Sequence, residues 1–219
     1  MLNKLFEICT NHKAWVLLII ISSVYITITF FSSNWIYTDD YFYRNLSTQL
    51  PSDTIDAILK SNDRFWWTGY LLQVVIVLSK VLFAALCIFI GVVLADIEFS
   101  ITDLFRSVVM AEFIFIIAQA IFISNLIVNR STLTLETTAN YFPLSMLSFL
   151  GVENVVQWLH YPLQTLNLFE VVYVLCISWL LSKQWKPDFV ESLNIVIPSY
   201  GLGLLVWMVL VVFLTLQVS

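Results

Sequence analysis

Residues 68–95 read TGYLLQVVIVLSKVLFAALCIFIGVVLA, twenty-eight residues broken by one charge, Lys80. As a helix rising about 1.5 Å per residue, this run is roughly 42 Å long, and a bilayer's hydrocarbon core is about 30 Å thick. The run is too short for two crossings and more than long enough for one. A single tilted spanning helix is predicted, starting in the interface at Trp66 and Trp67, where aromatic residues favour the headgroup boundary.

The same signal recurs along the chain. Residues 14–31 carry no charge and lie between Trp15 and Trp35. The run is longer than a usual signal-peptide core and no Ala-x-Ala site follows, so an uncleaved first helix is predicted. Further apolar runs cover 104–128, 166–181 and 193–216. The 219 residues are 60% hydrophobic and 11% charged; soluble domains have about 45–50% apolar and about 25% charged residues. That balance excludes a soluble enzyme, and also a disordered chain, which needs low hydrophobicity and high charge. The net charge of −5 argues against a nucleic-acid partner.

The expected fold is all-α, a polytopic membrane protein with five transmembrane helices in one membrane domain, 1–219. The spans are placed at 14–35, 66–95, 104–128, 164–182 and 193–216, the fourth extended upstream of its apolar run. Residues 36–65 form a polar extramembrane segment. Within it Ser52 opens an amphipathic piece with Ile55, Ile58 and Leu59 at helical spacing. Residues 129–163, broken by Pro143, Gly151 and Pro162, are expected to be interfacial or re-entrant. An N-inside orientation puts Lys4, Lys13, Arg106, Lys183 and Lys186 on the inner side, against Arg44, Lys60, Arg64 and Arg130 outside.

Lys80 and Glu112 are the candidate chemistry. A charge near the bilayer centre costs at least about 2.5–3.5 kcal/mol, so such residues face the bundle interior and find a partner. The two lie on adjacent helices of a hairpin. Counted from a connector at 96–103, however, their depths differ by roughly 10 Å. They form a candidate intramembrane pair or a relay for a proton or ion; alternatively the Lys80 stem snorkels along its helix. Pro198, Gly201 and Gly203 mark a candidate hinge, because Pro removes a helix donor and Gly permits close packing. Glu170 reads as a helix-dipole partner.

Asp96, Glu98 and Asp103 read as solvated loop acids, and His160 as interfacial rather than catalytic. Cys9, Cys87 and Cys176 are odd in number with no CxxC spacing, which supports neither a disulfide framework nor a zinc site. HExxH, GxSxG and GxxxxGK[ST] patterns are absent, as is a rhomboid-like serine context. No catalytic residue, metal site or cofactor is expected.

Ser100-Ile101-Thr102-Asp103-Leu104-Phe105-Arg106, Pro143-Leu144-Ser145-Met146-Leu147-Ser148 and Leu163-Gln164-Thr165-Leu166-Asn167-Leu168-Phe169-Glu170 follow one another through the second half. This order resembles the Yip1-domain family of five-span membrane proteins, particularly its prokaryotic members, over roughly 66–216. Glu112 stands in the region where that family commonly carries Pro. Eukaryotic members bind small GTPases through a cytosolic N-terminal region. Only about thirteen residues precede the first span here, so that role is not carried over. The resemblance implies a membrane scaffold or accessory protein without catalytic residues, in a bacterial inner membrane. Its expected partners are the lipid bilayer and a membrane protein or a second copy. The alternative is a transporter component using Lys80 and Glu112.

Overall fold

The computed structural model describes residues 14–185 and 187–218. Lys4, Cys9, His12, Lys13 and Lys186 lie outside them. The described residues are helical, with no strand. The long helices are α1 (Ala14–Trp35), α4 (Trp66–Leu94), α5 (Ile101–Ala111) running into α6 (Phe113–Val128), α10 (Leu168–Gln184) and α11 (Phe189–Val218). Short helices α2 (Asp39–Leu46) and α3 (Ser52–Arg64) fill the polar segment. The stretch before α10 holds α7 (Leu135–Asn140), α8 (Met146–Leu150) and α9 (His160–Thr165). Four helices are long and apolar enough to cross a membrane: Ala14–Trp35, Trp66–Leu94, Ile101–Val128 and Phe189–Gln217. They are compatible with an integral membrane protein.

Each helix buries one stripe and leaves the rest bare. On α4 the buried residues are Val77, Val81, Ala84, Ile88 and Val92, spaced at three and four. They pack with Leu17, Leu18 and Ile21 of α1, Val108 and Ala111 of α5, Ala118 of α6 and Tyr173 and Ile177 of α10. The opposite faces carry Leu72, Ile76, Leu82 and Leu86 outward, the arrangement expected where lipid replaces water. Hydroxyls on α1 return to the preceding turn: Ser23 donates to Ile19 O at 2.8 Å and Thr27 to Ser23 O at 2.8 Å. This satisfies polar groups where water is absent.

The ends of the bundle are sorted. At one end Ala14 and Trp15 lie beside Ile101 and Arg106, and Gln184 donates to Ser107 Oγ at 3.0 Å. At the other end Ile36 and Tyr41 bury against Leu126 and Leu133. The turn after α4 is closed by Asp96, whose φ of 53° is left-handed. Ile97 N–H bonds Val92 O at 3.4 Å and Asp96 N–H bonds Val93 O at 3.2 Å, the Schellman pattern.

Three expectations need correction. The third helix begins at Ile101 rather than 104, with Asp103 in its first turn, where a carboxylate suits the helix dipole. It is also divided at Glu112, which belongs to neither α5 nor α6. The fourth helix does not extend upstream: it starts at Leu168, and α9 is a separate turn of helix. The fifth starts at Phe189, four residues earlier than expected, where Asp188 Oδ1 accepts from Glu191 N–H at 2.8 Å. In the polar segment Ile55 is buried, but Ile58 is exposed and Leu59 only half-buried.

Candidate functional site

Five helices bring polar side chains to one depth. Tyr25 lies eleven residues into α1, Glu112 eleven residues after Ile101, and Tyr200 eleven residues into α11. Lys80 lies fourteen residues before Leu94, and Glu170 fourteen before Gln184. At helical rise these positions are roughly 16–21 Å from the same end of the bundle.

Glu112 sits at a tightened turn. Its N–H lies 3.2 Å from both Val108 O and Val109 O, and Phe115 N–H bonds Glu112 O at 3.0 Å, a three-residue step inside an α-helical path. The side chain is 1% exposed. Lys80 Nζ donates to Glu112 Oε1 at 2.9 Å. The same ammonium lies 3.0 Å from the centroid of the Phe115 ring and 5.7 Å from that of Tyr173. Ring faces are negative, so both attract it. Lys80 is thus held by one carboxylate and two aromatic rings from α6 and α10.

The aromatic chain continues inward. Phe115 and Tyr173 have centroids 5.0 Å apart, and Tyr173 and Tyr200 5.5 Å. Tyr200 Oη donates to Glu170 Oε1. Glu170 is within electrostatic reach of both Lys80 and Glu112. Two carboxylates and one ammonium therefore share this interior. Glu112 Oε2 and Tyr173 Oη are buried without a hydrogen-bond partner.

Glu170 is placed by its helix start. Asn167 Oδ1 accepts from Glu170 N–H at 3.0 Å, while Asn167 Nδ2 donates to Gln164 O and Thr165 O at 3.1 and 2.9 Å. Before it, residues 144–146 and 166–168 form an antiparallel bridge at Ser145 and Asn167. Met146 N–H bonds Leu166 O at 2.9 Å and Leu168 N–H bonds Leu144 O at 3.1 Å. The bridge pairs backbone that no helix satisfies, the condition for non-helical chain away from water. A groove of about 740 Å³ runs along α10 and α11, with Asn167, Glu170 and Tyr200 in its largely apolar wall.

The hinge candidates part company. Helix α11 is unbroken through Pro198. Gly203 packs against Cys87 Sγ and Phe83 of α4, whereas Gly201 has open space around it. A Cβ on Gly91 would meet Ser199 Cβ at 2.5 Å. Cys87 and Gly91 on α4 therefore interlock with Gly203 and Ser199 on α11, four residues apart on each helix, a small-residue crossing. Gly91 was not singled out by the sequence, although its spacing from Cys87 was visible.

Glu170, Tyr173, Tyr200 and Tyr25 complete the site around Lys80 and Glu112. The one sequence signal for Glu170 was its i, i+3 spacing to Tyr173 on a helix carrying no other charge until Lys183. His160 bonds Asn140 Oδ1 and Val155 O, both at 3.0 Å, which ties α9 to α7. Among the described residues no three His, Cys, Asp or Glu side chains group to hold a metal ion. No protein-family model, curated protein or solved structure matches the chain.

Proposed function

We propose that the chain is a noncatalytic five-span membrane protein that works through membrane-protein partners, as a scaffold or accessory subunit. The observation that carries this reading is the bare surface of α11. Only 11% of its apolar stretch is buried inside the molecule, against 39% for Ile101–Val128 and 33% for α1. Val206, Val209 and Phe213 are among its uncovered residues, at 64, 60 and 57% exposure. Helix α11 packs on α4 through the small-residue seam and on α10 through Tyr200, and its remaining faces are left for another helix.

In this proposal α10 is the fifth span. Its seventeen residues measure roughly 26 Å, close to the hydrocarbon thickness. Tyr173 and Ile177 at its centre are fully buried against neighbouring helices, while Val171 and Leu175 face outward. The sorted bundle ends fit five alternating crossings. An N-inside orientation in a bacterial inner membrane, and a Yip1-type arrangement, belong to the same proposal. The bridge joins two of the segments that carry that resemblance.

Photo-crosslinkers at Val209 and Phe213 test the reading. The expected product is a discrete adduct with another membrane protein or a second copy, identified by mass spectrometry. Adducts with lipid alone, from a protein that purifies by itself, would overturn it. A second reading, a transport component, is favoured by the ionisable groups gathered at one depth. It requires ion flux in liposomes that Lys80→Met and Glu112→Gln abolish.

A further inference from the structure

The site holds more negative than positive charge, and the imbalance has a chemical consequence. Among the described residues Lys80 is the one cation at this depth; Arg106 lies at the middle of α5, six residues before Glu112, and faces Asp103 at 3.3 Å, while Lys183 lies at the far end of α10. The groups around the site are Tyr25 from α1, Lys80 from α4, Glu112 between α5 and α6, Glu170, Tyr173 and Cys176 from α10, and Tyr200 from α11. Tyrosine hydroxyls and a thiol supply dipoles but no positive charge. Lys80 neutralises one carboxylate, and its hydrogen bond selects Glu112. A second carboxylate that must share this one ammonium, in a largely buried position, is disfavoured by desolvation.

Two more observations point to a bound species. Glu112 Oε2 and Tyr173 Oη are both buried and unpartnered, in side chains 1 and 0% exposed. The Tyr173 ring stands between Lys80 and Tyr200, so its hydroxyl belongs to the same interior. Glu170 also lines the groove between α10 and α11, which gives its carboxyl an approach that the enclosed Glu112 lacks.

We infer that Lys80, Glu112 and Glu170 form a proton-binding site that holds one exchangeable proton, carried on the Glu170 carboxyl. The proton is taken from water onto a carboxylate oxygen, forming one O–H bond and leaving the trio electrically neutral. Tyr200 then donates to the carbonyl oxygen of the protonated acid, which fixes its orientation. The inference concerns a bound proton and does not depend on the partner-binding role proposed above.

Electroneutrality makes the inference countable. Infrared spectroscopy of the full chain in lipid nanodiscs at neutral pH, with and without isotopic labelling of glutamate, counts protonated glutamic acids. The remaining described glutamates, Glu98, Glu136, Glu153 and Glu191, are exposed to solvent. The expected count is one per wild-type chain. Glu170→Gln leaves the balanced Lys80–Glu112 pair and no protonated acid. Glu112→Gln frees Lys80 to balance Glu170 and likewise leaves none. Lys80→Met leaves two acids without a cation, and two protonated groups. Where Lys80→Met does not fold, the wild type and the two Gln variants decide alone. No protonated glutamic acid in the wild type, or an undiminished signal in either Gln variant, would overturn the inference.

Discussion

Lys80 Nζ lies 2.9 Å from Glu112 Oε1, although counting from the polar connector separates their depths by roughly 10 Å. The count fails because residues 101–103, read as connector, are already helical. Measured between true helix ends, Leu94 and Ile101, the offset is three residues, roughly 4.5 Å, within reach of a lysine side chain.

Breaking that pair has a definite cost. Removing one partner of a buried ion pair destabilises by about 3–5 kcal/mol, whereas replacing both by apolar groups is near neutral. Lys80→Met and Glu112→Met should each lower the thermal midpoint in detergent, followed by tryptophan fluorescence. The double variant should recover most of the loss. Additive losses would show that the two side chains do not act as a pair.

The crossing of α4 and α11 tolerates no added volume at two glycines. Gly91→Leu and Gly203→Leu should each destabilise by about 1–3 kcal/mol, the usual range for overpacking. Gly201→Ala, with nothing within 4 Å of the new Cβ, should be neutral or slightly stabilising because Ala favours helix. Thermal midpoints of the three variants check this, and equal effects at Gly201 and Gly203 would remove the distinction.

Asn167 does three jobs with one amide, so its two conservative variants should differ. Asn167→Ala loses the N-cap and should cost about 1–2 kcal/mol. Asn167→Asp keeps the acceptor for Glu170 N–H but cannot donate to Gln164 O and Thr165 O, and it adds a carboxylate beside Glu170. It should be at least as destabilising as Ala. An Asp variant as stable as wild type would mean that the two donated bonds contribute nothing.

In the proposed five-span arrangement the polar segment and the α4–α5 turn lie on opposite faces. With the N-terminus inside, Asp53→Cys should react with an impermeant maleimide on intact cells, and Glu98→Cys only after permeabilisation. Labelling of both from one side would refute the alternation of spans.

Outside the spans, the Tyr43 hydroxyl donates to Asp56, tying α2 to α3. That bond, made to a carboxylate, raises the tyrosine above its ordinary range near 10. A raised folded-state value means the contact is intact below the ordinary tyrosine range and is lost as pH rises through the folded-state value. In an ultraviolet titration Asp56→Asn should shift one late-ionising tyrosine of the wild type back toward the ordinary range, and an unchanged late phase would show that the bond does not hold Tyr43.

Much of the helical layout was legible, for a physical reason. Long apolar runs such as 14–31 and 68–95 have one low-energy state in lipid, with every backbone group bonded inside the segment. Helix ends were less legible, because first-turn residues such as Ser100 and Asp103 are polar by requirement and look like loop in any hydropathy reading. The break between α9 and α10 was hidden for a related reason: Leu166 and Leu168 are apolar whether they sit in a helix or in the bridge to Leu144 and Met146.

The site was half legible. Lys80 and Glu112 declared themselves, since a charge inside a spanning run needs an explanation. Glu170 did not, because an acid in the first turn of a helix is already explained by the dipole. Tyr200 was folded into a Pro- and Gly-bearing motif that reads as a hinge.

The sequence by itself determined that this chain is helical and suited to lipid, because hydrophobic run length and backbone hydrogen bonding depend only on neighbours along the chain. Tertiary structure decided which charges share an interior. Helix rotation and offset bring Glu170 and Tyr200 to the depth of Lys80 and Glu112. Those quantities depend on how stripes such as Cys87–Gly91 and Ser199–Gly203 pack, which no single segment encodes.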